Sequence, residues 1–270
     1  MAKKATRKKA PRRPAGASGA AGGAALTAWF CYALTSVVLA LGVTWALYAQ
    51  ADYGYAFWYD TLEIDRHIDE YGPLNRYQKP DFEALDADQH IELFHRIRVA
   101  VHDGGEGLAS IRYPDRQGAP VILLRPAEVQ HLRDVAHLID SGRWALAVAF
   151  LVWLPLAAGV ARRPPPDWRR RALVAVTPLL AMVVWLLVSG PEAVFYQFHI
   201  WLFPADHEWF FYWQDSLMST LMKAPVLFGG IAVVLVGGTL VLTPLFYRGG
   251  LWLIGRLRRC LLYTSDAADE

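Results

Sequence analysis

Four runs of apolar residues, each free of Asp, Glu, Lys, Arg and His, constrain this chain more than any other feature. They cover residues 25–49, 144–161, 172–189 and 225–247. A helix needs ~20 such residues to cross a hydrocarbon core. In lipid the backbone must satisfy its own hydrogen bonds, which a helix does. A chain of 270 residues that is 54% hydrophobic and holds 11 Trp belongs to the same class. The expected fold is a membrane protein, a four-transmembrane-helix bundle with a small α+β extracytoplasmic domain between spans 1 and 2. Ionisable groups inside a span usually mark an ion or substrate pathway, so their absence argues against a transporter or proton pump.

Charge outside the runs sets the expected orientation. The tail 1–24 carries Lys3, Lys4, Arg7, Lys8, Lys9, Arg12 and Arg13 before an Ala- and Gly-rich stretch, and is expected to be disordered. The loop 162–171 holds Arg162, Arg163, Arg169, Arg170 and Arg171, and the tail 248–270 holds Arg248, Arg256, Arg258 and Arg259. The segments 50–143 and 190–224 are acidic on balance and contain all 8 histidines. Positive loops stay in the cytoplasm, which places both termini inside and every histidine outside. Ala49-Gln50-Ala51 has the look of a signal-peptide cleavage site, but the apolar run before it exceeds the ~7–15 residues of a signal core. An uncleaved first span is expected. Residues 260–270 shift composition abruptly, resemble translated adapter sequence, and take no part in the functional argument.

The outer segment 50–143 is large enough for a small domain. Its opening aromatics Tyr53, Tyr55, Phe57, Trp58 and Tyr59 are expected to rest on the membrane interface. Asp86 suits a helix N-cap, with Ile91, Phe94, Ile97 and Val101 at helical spacing and a stop at Gly104-Gly105. Residues 108–113 and 120–124 flank a turn-rich connection and read as a hairpin. Pro126 opens a further helix to about Asp140, whose apolar stripe is Val129, Leu132, Val135, Ala136 and Ile139. His137 faces away from the stripe. His131 sits at its edge, with Glu128 and Asp134 each one turn away. A partly desolvated imidazole that a carboxylate can orient suits acid–base chemistry.

The segment 190–224 reads as an aromatic interfacial loop. His199 lies in it among Phe195, Phe198, Trp201 and Phe203, directly after the third apolar run, at the depth of lipid headgroups and ester bonds. Trp209 belongs to the same belt, and Asp215-Ser216 is a candidate helix cap. No H-E-x-x-H, G-x-S-x-G or Walker sequence occurs. His90 with His95, and Asp206-His207-Glu208, do not aim several ligands at one metal, so no metal or other cofactor is expected. The lone cysteines Cys31 and Cys260 form no C-x-x-C. Outer cations are scattered among a larger number of acids, which excludes nucleic acid as a partner and leaves the bilayer and a substrate already in it.

Two segments in order carry a family resemblance. His131, Asp134 and Val135 lie ahead of the second span. Phe198, His199 and Phe203, then Trp209, then Asp215 with Leu217, lie between the third and fourth. This pattern resembles the bacterial lipoprotein intramolecular transacylases, whose first motif has Met where Leu132 stands and whose others have Phe at Leu202 and Ile at Met218. The resemblance implies transfer of the sn-2 acyl chain of a diacylglyceryl-cysteine lipoprotein to the α-amino group of that cysteine, at the outer face of the bacterial cytoplasmic membrane. It implies His131 and His199 as the catalytic pair. Asp134, Glu128 and Asp215 are candidate orienting groups, and Phe198, Trp201, Phe203 and Trp209 candidate lipid-contact residues. The residues alone leave open which histidine is base and which acid. They also leave two other readings, a non-catalytic protein whose outer domain binds a partner and a histidine-dependent lipid hydrolase.

Overall fold

The computed structural model describes residues 15–266. Four of its helices are long and apolar enough to cross a membrane. These are α1 (Ala15–Gln50), α5 (Pro126–Val160), α6 (Trp168–Leu202) and α8 (Val226–Asp266). The first begins at Ala15, within the stretch expected to be disordered; residues 1–14 lie outside the described ones. Alanine is the best helix former, and extending an existing helix needs no new nucleus, so the Ala-rich end of the tail joins the span.

α1 is the hub, packed on both α5 and α8. Lipid gives apolar helices little reason to associate, so close approach at small residues and interhelical hydrogen bonds hold the bundle. Gly42 faces Leu146, Gly238 faces Thr44, and Gly250 faces Tyr32 and Trp153; a Cβ at any of these would collide with its neighbour. Tyr32 donates to the Tyr247 carbonyl at 2.6 Å, Trp29 Nε1 to the Tyr247 hydroxyl at 2.9 Å, and Trp153 Nε1 to Ser36 Oγ at 3.1 Å.

Between α1 and α5 the chain builds the small domain from α2 (Tyr55–Thr61), α3 (Ile64–Tyr71), α4 (Ala87–His102) and one hairpin. Its strands are β1 (Arg112–Pro114) and β2 (Pro120–Ile122), antiparallel with Tyr113 opposite Val121. Asp86 caps α4 as its sequence indicates, accepting from Gln89 N at 2.8 Å while Gln89 Oε1 accepts from Asp86 N at 2.9 Å. Such a reciprocal box is worth about 1 kcal/mol. The opening aromatics divide differently from expectation. Tyr55 and Tyr59 are buried in the domain core, Tyr55 flat on Phe94 with centroids 4.0 Å apart, whereas Phe57 is exposed. Helical spacing turns 55 and 59 to one face and 57 to the other.

Three boundaries also differ. The helix expected to end near Asp140 continues unbroken into the second span, so α5 rigidly joins domain to bundle. α6 runs past residue 189 and ends at Leu202, making the first part of the expected outer loop helical. α8 continues beyond residue 247. Within α6, Gly190 has φ 80° and ψ 156°, a conformation essentially confined to glycine, and breaks the helix just before the turns that carry His199. α7 (Leu217–Leu221) is a short buried piece ahead of α8.

Candidate active site

α5 presents His131 and the end of α6 presents His199. The two rings stand 6.4 Å apart between centroids at an interplanar angle of 27°. One reacting centre can hydrogen-bond to both at that separation, since each bond spans ~2.6–3.2 Å. Phe203 lies against both rings, 4.9 Å from His131 and 5.3 Å from His199. Trp209 stacks on His199 at 4.8 Å, and Phe211 closes on His131 at 5.9 Å. Both imidazoles are half-buried in this cage.

His199 Nδ1 is 2.9 Å from the Phe195 carbonyl one turn earlier. A carbonyl only accepts, so Nδ1 carries the proton and the neutral ring offers the Nε2 lone pair. Burial holds this imidazole below its ordinary pKa, with the Phe195 bond opposing in part. A ring kept neutral and fixed in one tautomer is suited to accept a proton. His131 Nδ1 is buried without a partner, so this ring retains an unused polar atom inside the cage.

The carboxylates flanking His131 do not touch it through hydrogen bonds. Asp134 accepts from His207 Nδ1 at 2.7 Å and from Gln130 Nε2 at 3.2 Å. Glu128 is completely buried; it accepts from the Arg125 backbone N–H and from Ser216 Oγ. His207 and Ser216 both belong to the segment after α6. The two acids, one turn either side of His131, therefore fasten that segment to α5 at two points. Ser216, not Asp215, caps α7, accepting from Ser219 N at 2.9 Å, because it is the residue directly before the helix, with extended backbone. Asp215 instead meets Arg76 Nη1 at 3.4 Å. Phe198 touches His199 at 5.8 Å, but Trp201 is exposed and stacks on Trp185, away from the pair.

Nothing in the sequence singles out His207, Phe211 or Arg125 for the site, and Ser216 stands out there only as part of a candidate helix cap. In sequence His207 stands between Asp206 and Glu208, and its actual partner, Asp134, lies on another element. No group of three or more His, Cys, Asp or Glu placed to hold a metal occurs among the described residues.

Several solved structures of the membrane-integral lipoprotein intramolecular transacylase from Bacillus cereus share the fold. One, carrying a histidine-to-alanine mutation, gives a TM-score of 0.55 at 15% identity and covers 90% of this chain and 97% of its own. A histidine-to-arginine form gives 0.54 at 16%, covering 90% and 96%. A third structure gives 0.53 at 14%, covering 92% and 99%. No curated protein sequence matches. The family model for lipoprotein intramolecular transacylase Lit matches residues 24–223, a stretch that contains both histidines, their aromatic cage and both fastening carboxylates. The chain therefore belongs to the lipoprotein intramolecular transacylase family.

Proposed function

We propose that this protein moves the sn-2 acyl chain of an S-diacylglyceryl-cysteine lipoprotein onto the α-amino group of the same cysteine, giving the lyso form. The observation that carries the reading is the pair of imidazoles, 6.4 Å apart, supplied by separate elements inside an aromatic cage. An α-amine has pKa ~8 and must shed a proton before it attacks an ester. His199, neutral with Nε2 unprotonated, is suited to take that proton. The amine nitrogen bonds to the ester carbonyl carbon, the C–O bond to the glycerol sn-2 oxygen breaks, and that oxygen leaves with a proton. That proton is the second one the attacking nitrogen gives up on becoming an amide, and His131 is placed to relay it or to stabilise the oxyanion. Ester and amine are tethered in one molecule, so orientation supplies much of the rate and no Ser or Cys nucleophile is required.

The substrate stays in the membrane, and the basic tail, the Arg-rich 162–171 loop and the basic C-terminal segment support cytoplasmic termini. The histidine pair then works at the outer face of the bacterial cytoplasmic membrane. The test is mass spectrometry of a reporter lipoprotein's N-terminal peptide from cells expressing wild type, His131→Ala or His199→Ala. Each variant is expected to remain membrane-inserted and to lose ~10²–10⁴-fold of the lyso product. Undiminished lyso product in both variants would overturn the mechanism, and free fatty acid in place of N-acylated peptide would make the protein a hydrolase.

A further inference from the structure

The Arg125 guanidinium lies over the Tyr77 ring at 4.3 Å and near the Phe211 ring at 5.4 Å. Its side chain is 12% exposed. Nε and Nη2 are both buried, and neither has a hydrogen-bond partner. Those two nitrogens form the side-on edge of the guanidinium, the fork that holds a carbonyl or carboxylate with two parallel N–H bonds. The nearest acid does not use it. Glu128 Oε2 is 3.8 Å from Nε, beyond hydrogen-bond reach, and already accepts from the Arg125 backbone, while Oε1 accepts from Ser216. A buried charged donor pair left idle is costly unless something fills it during the working cycle.

Its place in the site says what that would be. Phe211 touches both Arg125 and His131, so the fork adjoins the reacting cage. Arg125 precedes α5 on the domain side, and six residues of helix put His131 ~9 Å nearer the membrane. With the acyl ester at the histidines and its tails in lipid, the part of the substrate extending toward the domain is the peptide that follows the lipidated cysteine. An extended chain advances ~3.3 Å per residue, so its first few carbonyls come level with Arg125.

We infer that Arg125 is a substrate-binding residue whose side-on fork takes backbone carbonyls of the lipoprotein just after its modified cysteine. The inference rests on the transacylase reading. Tyr77, in the exposed segment before α4, lies against the face of the guanidinium and leaves its in-plane edge for hydrogen bonds; at 53% exposed, its ring is free to shift as the peptide arrives.

The test uses full-length protein in membranes with two substrates, an S-diacylglyceryl-cysteine lipopeptide and S-diacylglyceryl-cysteine methyl ester, which has no downstream peptide. Arg125→Lys keeps a positive charge beside Glu128 but lacks the fork; Arg125→Gln removes both. Each is expected to raise KM for the lipopeptide about tenfold or more, the scale of a lost charge-assisted hydrogen-bond pair, and to erase the wild type's preference for it over the methyl ester. An unaltered KM ratio between the two substrates overturns the inference, as does an equal loss on both, which would make Arg125 structural. The lysine variant decides the matter if the glutamine variant does not fold. Wild type that N-acylates neither substrate, or His131→Ala that still does, would bring down the transacylase reading itself.

Discussion

At the scale of single residues, the proposed chemistry turns on how His199 is held. Its Nδ1 proton is committed to the Phe195 carbonyl, and burial opposes charging the ring. An imidazole whose folded pKa lies below its unfolded value is neutral, and so competent as a base, over a wider range toward acid. The loss of activity that comes from His199 is therefore expected only below pH 6.5, as pH drops through the depressed folded value, beneath the separate decline that the protonating substrate amine (pKa ~8) imposes. Stability follows the same sign: the unfolded chain takes up this proton first, so the folded state weakens as pH falls below the ordinary imidazole value, not as it rises. A kcat/KM profile on lipopeptide, divided by the fraction of substrate amine that is unprotonated (pKa ~8), checks it, and a remaining acid limb above pH 6.5 would exclude His199 as the base. The histidine itself was legible in the sequence from its aromatic surroundings after an apolar run. Its tautomer was not, because that depends on a carbonyl one helical turn away being free to accept.

At the scale of elements, the site exists because two helices and one loop are locked in register. α5 joins domain to bundle without a break, and Gly190 redirects the last turns of α6 through a conformation that other residues avoid. The loop after α6 is then fastened to α5 by Asp134 with His207 and by Glu128 with Ser216. Asp134→Ala or His207→Ala alone is expected to lower lyso-product yield by about tenfold, since a charge-assisted bond that orders the cage is lost. Exchanging the partners, Asp134→His with His207→Asp, should recover part of that loss, because the fastening needs the pair rather than either position. A deficit in the exchange equal to the product of the two single deficits would show that the two residues act independently. The spacing of Glu128, His131 and Asp134 on one helix was readable. That the acids serve the facing loop instead of the imidazole between them was not, because their partners lie 73 and 88 positions along the chain.

At the scale of the whole molecule, α1 gathers the bundle, and the small domain sits over the end at which α5 and α6 bring their histidines together. The broad exposed apolar faces of α5, α6 and α8, with Trp144, Leu151, Leu187, Val188, Val233 and Leu240 all more than two-thirds exposed, suit lipid and would aggregate in water. The orientation argued from charge is directly measurable. In a background lacking native cysteine, His137→Cys in the domain should react with a membrane-impermeant maleimide on spheroplasts, and Pro165→Cys only after lysis; the reverse pattern would invert the topology. What the sequence by itself determined was the class of solvent, the four spans and the α4 cap, and it offered the two histidines as candidates, because each depends on composition or spacing within one short segment. Only the tertiary structure decided that those histidines face each other, that Asp134 and Glu128 grip the loop, and that Arg125 holds an unused fork. Those facts depend on side chains meeting across elements far apart in the chain, where local periodicity carries no information.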